Sequence, residues 1–422
     1  MVVTLKHLTL EDYGPFTKLD IDLGDITIFV GRNNTGKSTT LEAIALLLSS
    51  INSFKMGHIN VPLNLGFKAN YLINLRSNSK IAVISGDVVN QGMKHNIEVR
   101  VTRGINELGN IRDNIMWEVM KSITELTPRS QEILINAFRR AQREYKDVKD
   151  IFEAFKEFVD SIATILSDYV NNLLENVVFL STYIDGKLFN IALLPLSEVN
   201  IDDHVISRLK ELGLEYNNAK RLLSIQVREV ISEGKVIPIN KEVSIGIIRV
   251  QNLSLYQFLI DNLPAEKQTE LIDLLRTEVR YFYDYRSGQI ILNFDNNKIS
   301  VPYNLMGDGF KALIGMLGLI VSGVDVAIID EPEAHLHPGF MEVITKYMVE
   351  PRFLDKIQFV MATQSLEFLD YLLDAAKERG VLDRVRLIRL YLLPDGDVDY
   401  EQLSGDEAYD ERHELESDLR GP

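Results

Sequence analysis

Gly31-Arg32-Asn33-Asn34-Thr35-Gly36-Lys37-Ser38-Thr39 sets two glycines, a lysine and a run of hydroxyls in the spacing G-x-x-x-x-G-K-[ST]. Glycines let the backbone curl until its N–H groups converge, and a helix N-terminus directly behind adds its positive dipole end. The result is a nest for phosphate oxygens. In such a nest Lys37 reaches the β- and γ-phosphates of ATP, and Ser38 ligates Mg²⁺. A second reactive group is the pair Asp330-Glu331, which ends the apolar run 324–329. Asp330 there holds Mg²⁺ directly or through water, and Glu331 polarises the attacking water. The third is Asn304-Leu305-Met306-Gly307-Asp308-Gly309-Phe310-Lys311, a Gly-rich turn ahead of an apolar helix. Gly307, Asp308 and Gly309 read as another phosphate nest. A chain needs one nest for its own nucleotide, so the second points to a nucleotide presented by a partner subunit.

These residues need a frame. The apolar stretch 26–30 predicts a buried strand before the loop, and 40–48 predicts a helix after it. Residues 312–321 predict a helix and 324–329 a strand, while Met361-Ala362-Thr363-Gln364-Ser365 closes another strand. Strands are expected at 3–10 and 19–23 around the Tyr13-Gly14-Pro15-Phe16 turn. A hairpin at 80–89 and 95–101 adds an antiparallel layer beside the nucleotide site. Lys37 and Asp330 are far apart in sequence yet must meet around one Mg-nucleotide, so most of the intervening chain is an excursion. The domain reading is 1–110 for the first part of an ATPase head, 111–285 for a mainly helical insertion, and 286–422 for the rest of the head.

Within the excursion, 130–145 and 151–173 read as an antiparallel helical arm with apolar residues every third or fourth position. A strand is expected at 177–183 and helices at 202–232, 255–262 and 266–282. Residues 289–294 and 298–301 form a hairpin, and 404–418 an acidic helix.

Composition narrows the classes. The 422 residues are 46% hydrophobic, enough for large cores in two or three domains, or one with a long insertion. A net charge of -16 and a pI near 5.0 repel polyanions, which lowers the expectation of tight nonspecific DNA binding. Cysteine is absent, which excludes disulfides, thiol nucleophiles and Cys-ligated zinc. No uncharged apolar run is long enough to span a bilayer, and the N-terminus carries no secretory pattern, so the expected location is the cytoplasm, with no membrane partner.

Taken together, the P-loop, the Gly-rich turn before a helix, Val326-Ala327-Ile328-Ile329-Asp330-Glu331-Pro332-Glu333-Ala334-His335-Leu336-His337-Pro338 and the Thr363-Gln364-Ser365 strand end resemble the ABC-type ATPases of the SMC and RecF class. The resemblance is closest to the OLD family and its AAA-15/AAA-21-like relatives, and the Tyr13-Gly14-Pro15-Phe16 turn and Asp418-Leu419-Arg420 also look like that family. It covers about 1–110 and 285–420. It implies an α/β P-loop NTPase of ABC type, with a mixed central sheet, an antiparallel layer and a long helical insertion. It also implies a head-to-head, ATP-dependent homodimer in which Gly307 to Gly309 of one chain touch the γ-phosphate held by Lys37 of the other, acting on DNA or on a separately encoded effector. The sequence after Ser365 is short for the Toprim nuclease domain of the OLD nucleases, so a relative without it is expected.

Two departures bear on rate. Gly307 stands where serine is usual, which leaves backbone N–H groups for the cross-subunit contact. Gln364 stands where a switch histidine is usual; it hydrogen-bonds but carries no proton, so slow hydrolysis is expected. A nonhydrolysing ATP switch is the main rival reading. A transporter subunit is disfavoured by the long insert and by the absence of Leu-Ser-Gly-Gly-Gln. His335 and His337 are read as the dimer-facing loop in preference to a metal pair, Gln91 as a hairpin residue in preference to a Mg²⁺ sensor, and Asp395, Asp397 and Asp399 as a solvated turn. Arg139, Arg140, Arg143 and Lys146, interleaved with Glu144, Asp147 and Asp150, read as a solvated face in preference to a phosphate-backbone contact.

Overall fold

The computed structural model describes residues 3–51, 72–76, 80–103, 177–195, 231–232, 243–249, 253–295 and 297–420, with residue 207 and short pieces between 139 and 164. Two sheets enclose one helix. The central sheet has the order β16-β15-β3-β14-β13-β9, built from β3 (Ile26–Gly31), β9 (Ile245–Arg249), β13 (Val326–Asp330), β14 (Gln358–Ala362), β15 (Val385–Leu392) and β16 (Val398–Ser404). Its strands run parallel except for β16, which pairs antiparallel with β15. β3 and β14 are buried along their whole length and β13 up to its last residue, which is why their sequences are mostly apolar with no alternation, Thr27 and Gln358 being the buried polar exceptions.

The second sheet begins β2-β1-β4-β5-β6-β7, formed by β1 (Thr4–Tyr13), β2 (Phe16–Asp22), β4 (Ile81–Asn90), β5 (Met93–Arg103), β6 (Val177–Ile184) and β7 (Lys187–Pro195), all antiparallel, with the short β8 (Ile231–Ser232) at the edge. One face of it is packed: in β4 every second residue is buried. Helix α1 (Lys37–Ile51) lies between the two sheets. That position explains its sequence, which is apolar on every side, because nearly every residue meets a sheet. Phe29, Val326, Ile328, Val360 and Ile388 point into this inner core.

The opposite face of the central sheet carries the helices α2 (Leu253–Asp261), α3 (Ala265–Glu278), α4 (Asp308–Ser322), α5 (Pro338–Met348), α6 (Pro351–Leu354) and α7 (Leu366–Arg379). Ile26, Ile28, Ala327, Ile329, Phe359 and Met361 face them. A three-stranded sheet, β10 (Phe282–Arg286), β11 (Gln289–Phe294) and β12 (Asn297–Pro302), leads into α4, and α8 (Gly405–His413) closes the chain with a Ser404/Glu407 capping box. Among the described residues no helix is long and apolar enough to cross a membrane.

Several expectations change. Within 111–285 the strand expected at 177–183 is present as β6, and two that were not expected join it: β7 extends the antiparallel layer, and β9 pairs with β13 inside the central sheet. A strand this short, buried over 245–247, has no periodicity of its own, so β9 passes unnoticed in sequence. The helix expected over 266–282 ends at Glu278, because Phe282 is paired with Leu292 as the start of β10. Residues 231–232 are strand where helix was expected, and the rest of 202–232 apart from residue 207 lies outside the described residues. Of the expected arm, the described residues between 139 and 164 are helical except Asp147; the remainder, Lys146 included, lies outside the described residues.

Candidate functional site

The P-loop leaves β3 at its carboxyl end and turns into α1, as a phosphate nest requires. Asn34 takes a left-handed backbone, φ 65°, a conformation that asparagine tolerates better than most residues. Thr35 Oγ1 donates to the Arg32 carbonyl at 2.9 Å and ties the loop to itself. Lys37 Nζ donates to the Gly31 and Arg32 carbonyls at 2.8 and 2.7 Å, so the ammonium lies inside the curl of the loop, with 7% of the residue exposed. Burial lowers its pKa, while Asp330, Glu331 and Glu333 push it back up. Arg32, Asn33 and Asn34 are exposed along the rim, and Ser38 and Thr39 are half-buried at the start of the helix.

Adjacent strands deliver the acids. β13 and β14 are in parallel register, Asp330 beside Ala362, so the ends of both strands open onto the P-loop. Ser38 Oγ donates to Asp330 Oδ1 at 3.1 Å, which puts the two residues expected to hold Mg²⁺ in direct contact. A hydroxyl and a carboxylate side by side are oxygen donors of the kind Mg²⁺ takes, and the donor set fits the ion. Glu331 has φ 57° and its N–H bonds the Ala362 carbonyl at 2.8 Å; its side chain is exposed. Gln364 Nε2 donates to Glu331 Oε1 at 3.4 Å, so the switch residue and the water-polarising candidate meet.

Glu333 is a residue that sequence reasoning passed over. Its Oε1 accepts from the Gln364 N–H at 3.2 Å, and Thr363 also bonds the carboxylate. Burial raises its pKa above the ordinary glutamate range, those hydrogen bonds oppose the shift, and Glu331 adds to it. A third acid within four positions, Asp330-Glu331-Pro332-Glu333, was the signal available in the sequence.

The second Gly-rich turn opens α4. Gly307 is the N-cap of α4, and its carbonyl accepts from the Phe310 and Lys311 N–H groups at 3.1 Å. Asp308 in the first turn pairs with Lys311 at 3.0 Å. A Cβ on Gly309 would lie 2.9 Å from the His335 carbonyl, so glycine permits α4 to close on the loop after β13. α4 packs on the helical face of the central sheet and α1 on the inner face.

His337 caps α5, its Nδ1 accepting from the Gly339 N–H at 3.3 Å, and His335 has φ 62°. Gln91 is exposed in the β4–β5 turn. Asp395, Asp397 and Asp399 accept from the Asp397 N–H, the Thr17 N–H and the Tyr391 hydroxyl. Among the described residues no cluster of three or more His, Asp or Glu side chains is arranged to hold a metal. Arg140 pairs with Glu144 at 3.9 Å. A cavity of about 420 Å³ opens beside the P-loop, lined by Pro15, Thr39, Glu42, Asn74, Leu75 and Arg76 among others.

Comparison with known proteins gives the family. The family described as "AAA domain, putative AbiEii toxin, Type IV TA system" matches residues 26–370, which spans both the P-loop and the Asp330-Glu331 strand. The uncharacterized protein MJECL11 of Methanocaldococcus jannaschii is 31% identical over 119 residues, 28% of this chain and 100% of that protein. Solved structures similar to this chain include the SMC head domain from Thermotoga maritima, at a TM-score of 0.45, 13% identity, and coverage of 95% of this chain and 99% of that one. Another is the Smc head domain with an extended coiled coil bound to the C-terminal domain of ScpA from Pyrococcus furiosus, at 0.41, 14% identity, and 98% and 100% coverage. With the family match extending over most of its length, the chain belongs to this AAA domain family of P-loop nucleotide-binding ATPases.

Proposed function

We propose that this chain hydrolyses ATP with Mg²⁺ and does so as a homodimer that closes on two nucleotides. The observation that carries the reading is the convergence of Lys37, Ser38, Asp330 and Glu331 at one end of the sheet, with Ser38 and Asp330 3.1 Å apart. The P-loop N–H groups and Lys37 would bind the phosphates, the cavity beside Thr39 is large enough for the nucleoside, and Ser38 and Asp330 would hold Mg²⁺. When bound, that ion supplies charge neutralisation at the phosphates. Glu331 takes the proton of the attacking water as its oxygen bonds the γ-phosphorus; the bond to the β–γ bridging oxygen breaks, and ADP and phosphate leave.

The second nest supports the dimer. α4 packs on the helical face of the central sheet and α1 on its inner face, and Gly307 to Gly309 would serve a nucleotide presented by a second copy. Each ATP then bridges two subunits, and both sites add free energy to the assembly. Such a cytoplasmic switch would drive a DNA-related process, of repair or defence type, or a separately encoded effector. A slow or nonhydrolysing switch is the second reading, favoured by Gln364, which donates a hydrogen bond to Glu331 and has no titratable proton to relay.

The test is ATP turnover with and without DNA, beside mass by light scattering with ATP, ADP or neither. Lys37→Ala should lose nucleotide binding; Glu331→Gln should bind, fail to turn over, and accumulate as dimer. Turnover by Glu331→Gln at the parental rate removes its assigned role, and an unchanged mass in all three conditions removes the ATP-dependent dimer. Gly307→Asp is the better probe of the second nest than a change at Gly309, since a Cβ on Gly307 meets nothing within 4 Å. Its carboxylate would face the opposing phosphate and should abolish the dimer.

A further inference from the structure

We propose that Glu333 is the positioning residue of this site, fixing the amide of Gln364 against Glu331; the proposal rests on the ATPase reading above. The contact between Gln364 Nε2 and Glu331 Oε1 is long, 3.4 Å, and joins two side chains at the ends of separate strands. A free glutamine loses up to about 2 kcal/mol of rotamer entropy when held in one conformation, more than one long hydrogen bond returns. The backbone that carries Gln364 sets where its side chain starts: the Thr363 N–H is tied to the Phe29 carbonyl at 3.0 Å, and the Gln364 N–H itself is held by one carboxylate.

Glu333 Oε1 accepts from the Gln364 N–H at 3.2 Å. The Thr363 hydroxyl bonds the same carboxylate, and Thr363 Oγ1 in turn accepts from the Ser365 N–H at 2.9 Å. Ser365 Oγ then accepts from the Phe368 N–H at 3.1 Å and caps α7. One acid after β13 thus holds Thr363 and Gln364, and reaches Ser365 only through Thr363. The turn that carries it is held in its own right, with the Leu336 N–H bonding the Glu333 carbonyl at 3.0 Å and the Ala334 N–H bonding the Glu331 carbonyl at 3.1 Å. Glu331 and Glu333 therefore belong to one rigid unit, and Gln364 is hung from it.

A purely packing role is the alternative, and the chemistry of the position speaks against it. Glu333 Oε2 is buried with no hydrogen-bond partner among the described residues, an arrangement that costs free energy and that an apolar side chain would avoid. What an apolar side chain would lose is the acceptor for Thr363 and Gln364.

The experiment is a double-mutant cycle between Glu333 and Gln364, read as kcat, KM for ATP and equilibrium ATP binding. Glu333→Ala should lower kcat by about tenfold to a hundredfold, the penalty of a displaced reacting group, with ATP affinity within about twofold of the parent. Glu333→Leu, which refills the buried space without an acceptor, should behave like Glu333→Ala and guards against loss of packing. Glu333→Gln keeps an acceptor oxygen and should restore most of kcat. In the Gln364→Ala background Glu333→Leu should have no further effect on kcat, because the group it positions is gone. Equal losses in both backgrounds, or a loss that falls on ATP binding, would overturn the inference and leave the ATPase reading intact. A parent without turnover would overturn both.

Discussion

The P-loop glycine Gly36 has φ 88°, and a Cβ built on it would lie 2.6 Å from Phe16 Cζ and 2.9 Å from Pro15 Cγ. The Gly14-Pro15-Phe16 turn is thus a buttress for the loop, and Phe16 is itself fully buried in the inner core. Gly36→Ala therefore carries two penalties. The left-handed backbone costs an L-residue about 1–2 kcal/mol, and forcing the ring of Phe16 aside costs about 1–3 kcal/mol as overpacking. Gly92 supplies the control: φ is 82° but nothing lies within 4 Å of its Cβ position, so Gly92→Ala pays the backbone term alone. Urea unfolding of the two variants should differ by about 1–3 kcal/mol, with Gly36→Ala the less stable. Combining Gly36→Ala with Phe16→Leu should cost less than the sum of the single changes, since the smaller side chain relieves the overlap. Equal destabilisation of Gly36→Ala and Gly92→Ala, or strict additivity with Phe16→Leu, would refute the buttress.

Gln364→His restores the group usual at the γ-phosphate in ABC ATPases and should preserve or raise turnover in a steady-state phosphate-release assay; a hundredfold loss would mean that glutamine is tuned to this site. Because burial holds the Glu333 carboxyl above its ordinary range, the folded chain keeps a proton that the unfolded chain has released. Stability should therefore fall as pH rises from about 4 through the raised pKa, and Glu333→Gln should flatten that part of a urea-midpoint profile. Parallel profiles for parent and variant would contradict the shift. Arg389 bonds Glu401 and Glu411 at 2.6 Å each and the Leu419 carbonyl at 3.2 Å, with 14% of its side chain exposed, and so ties α8 and the chain end to β15. Arg389→Ala should lower stability by about 1–2 kcal/mol, because it strands the partly buried Glu411 while Glu401 stays exposed; calorimetry of the variant against Arg420→Ala, whose pair with Asp418 is exposed at both ends, is the check.

The sequence by itself determined what contiguous residues settle among themselves. A phosphate nest is a local object, so Gly31 to Thr39 were legible once a strand preceded them and a helix followed. The buried parallel strand β13 announces itself as an apolar run, and the β4–β5 hairpin by the turn residues between its strands. The meeting of Ser38 with Asp330 was also inferable, because one Mg-nucleotide requires both. Tertiary structure decided the rest, since pairing partners and depth are set by distant residues. Nothing within residues 245–249 says that they lie beside β13, and nothing within Phe282–Arg286 says strand rather than the end of a helix, until β11 is there to pair. Glu333 reads as one more acid in a turn; only the parallel register of β13 and β14 brings it under the Gln364 N–H. The same holds for Gly36 and Gly309, whose missing side chains have meaning because Phe16 and the His335 carbonyl arrive from elsewhere in the chain to fill the space.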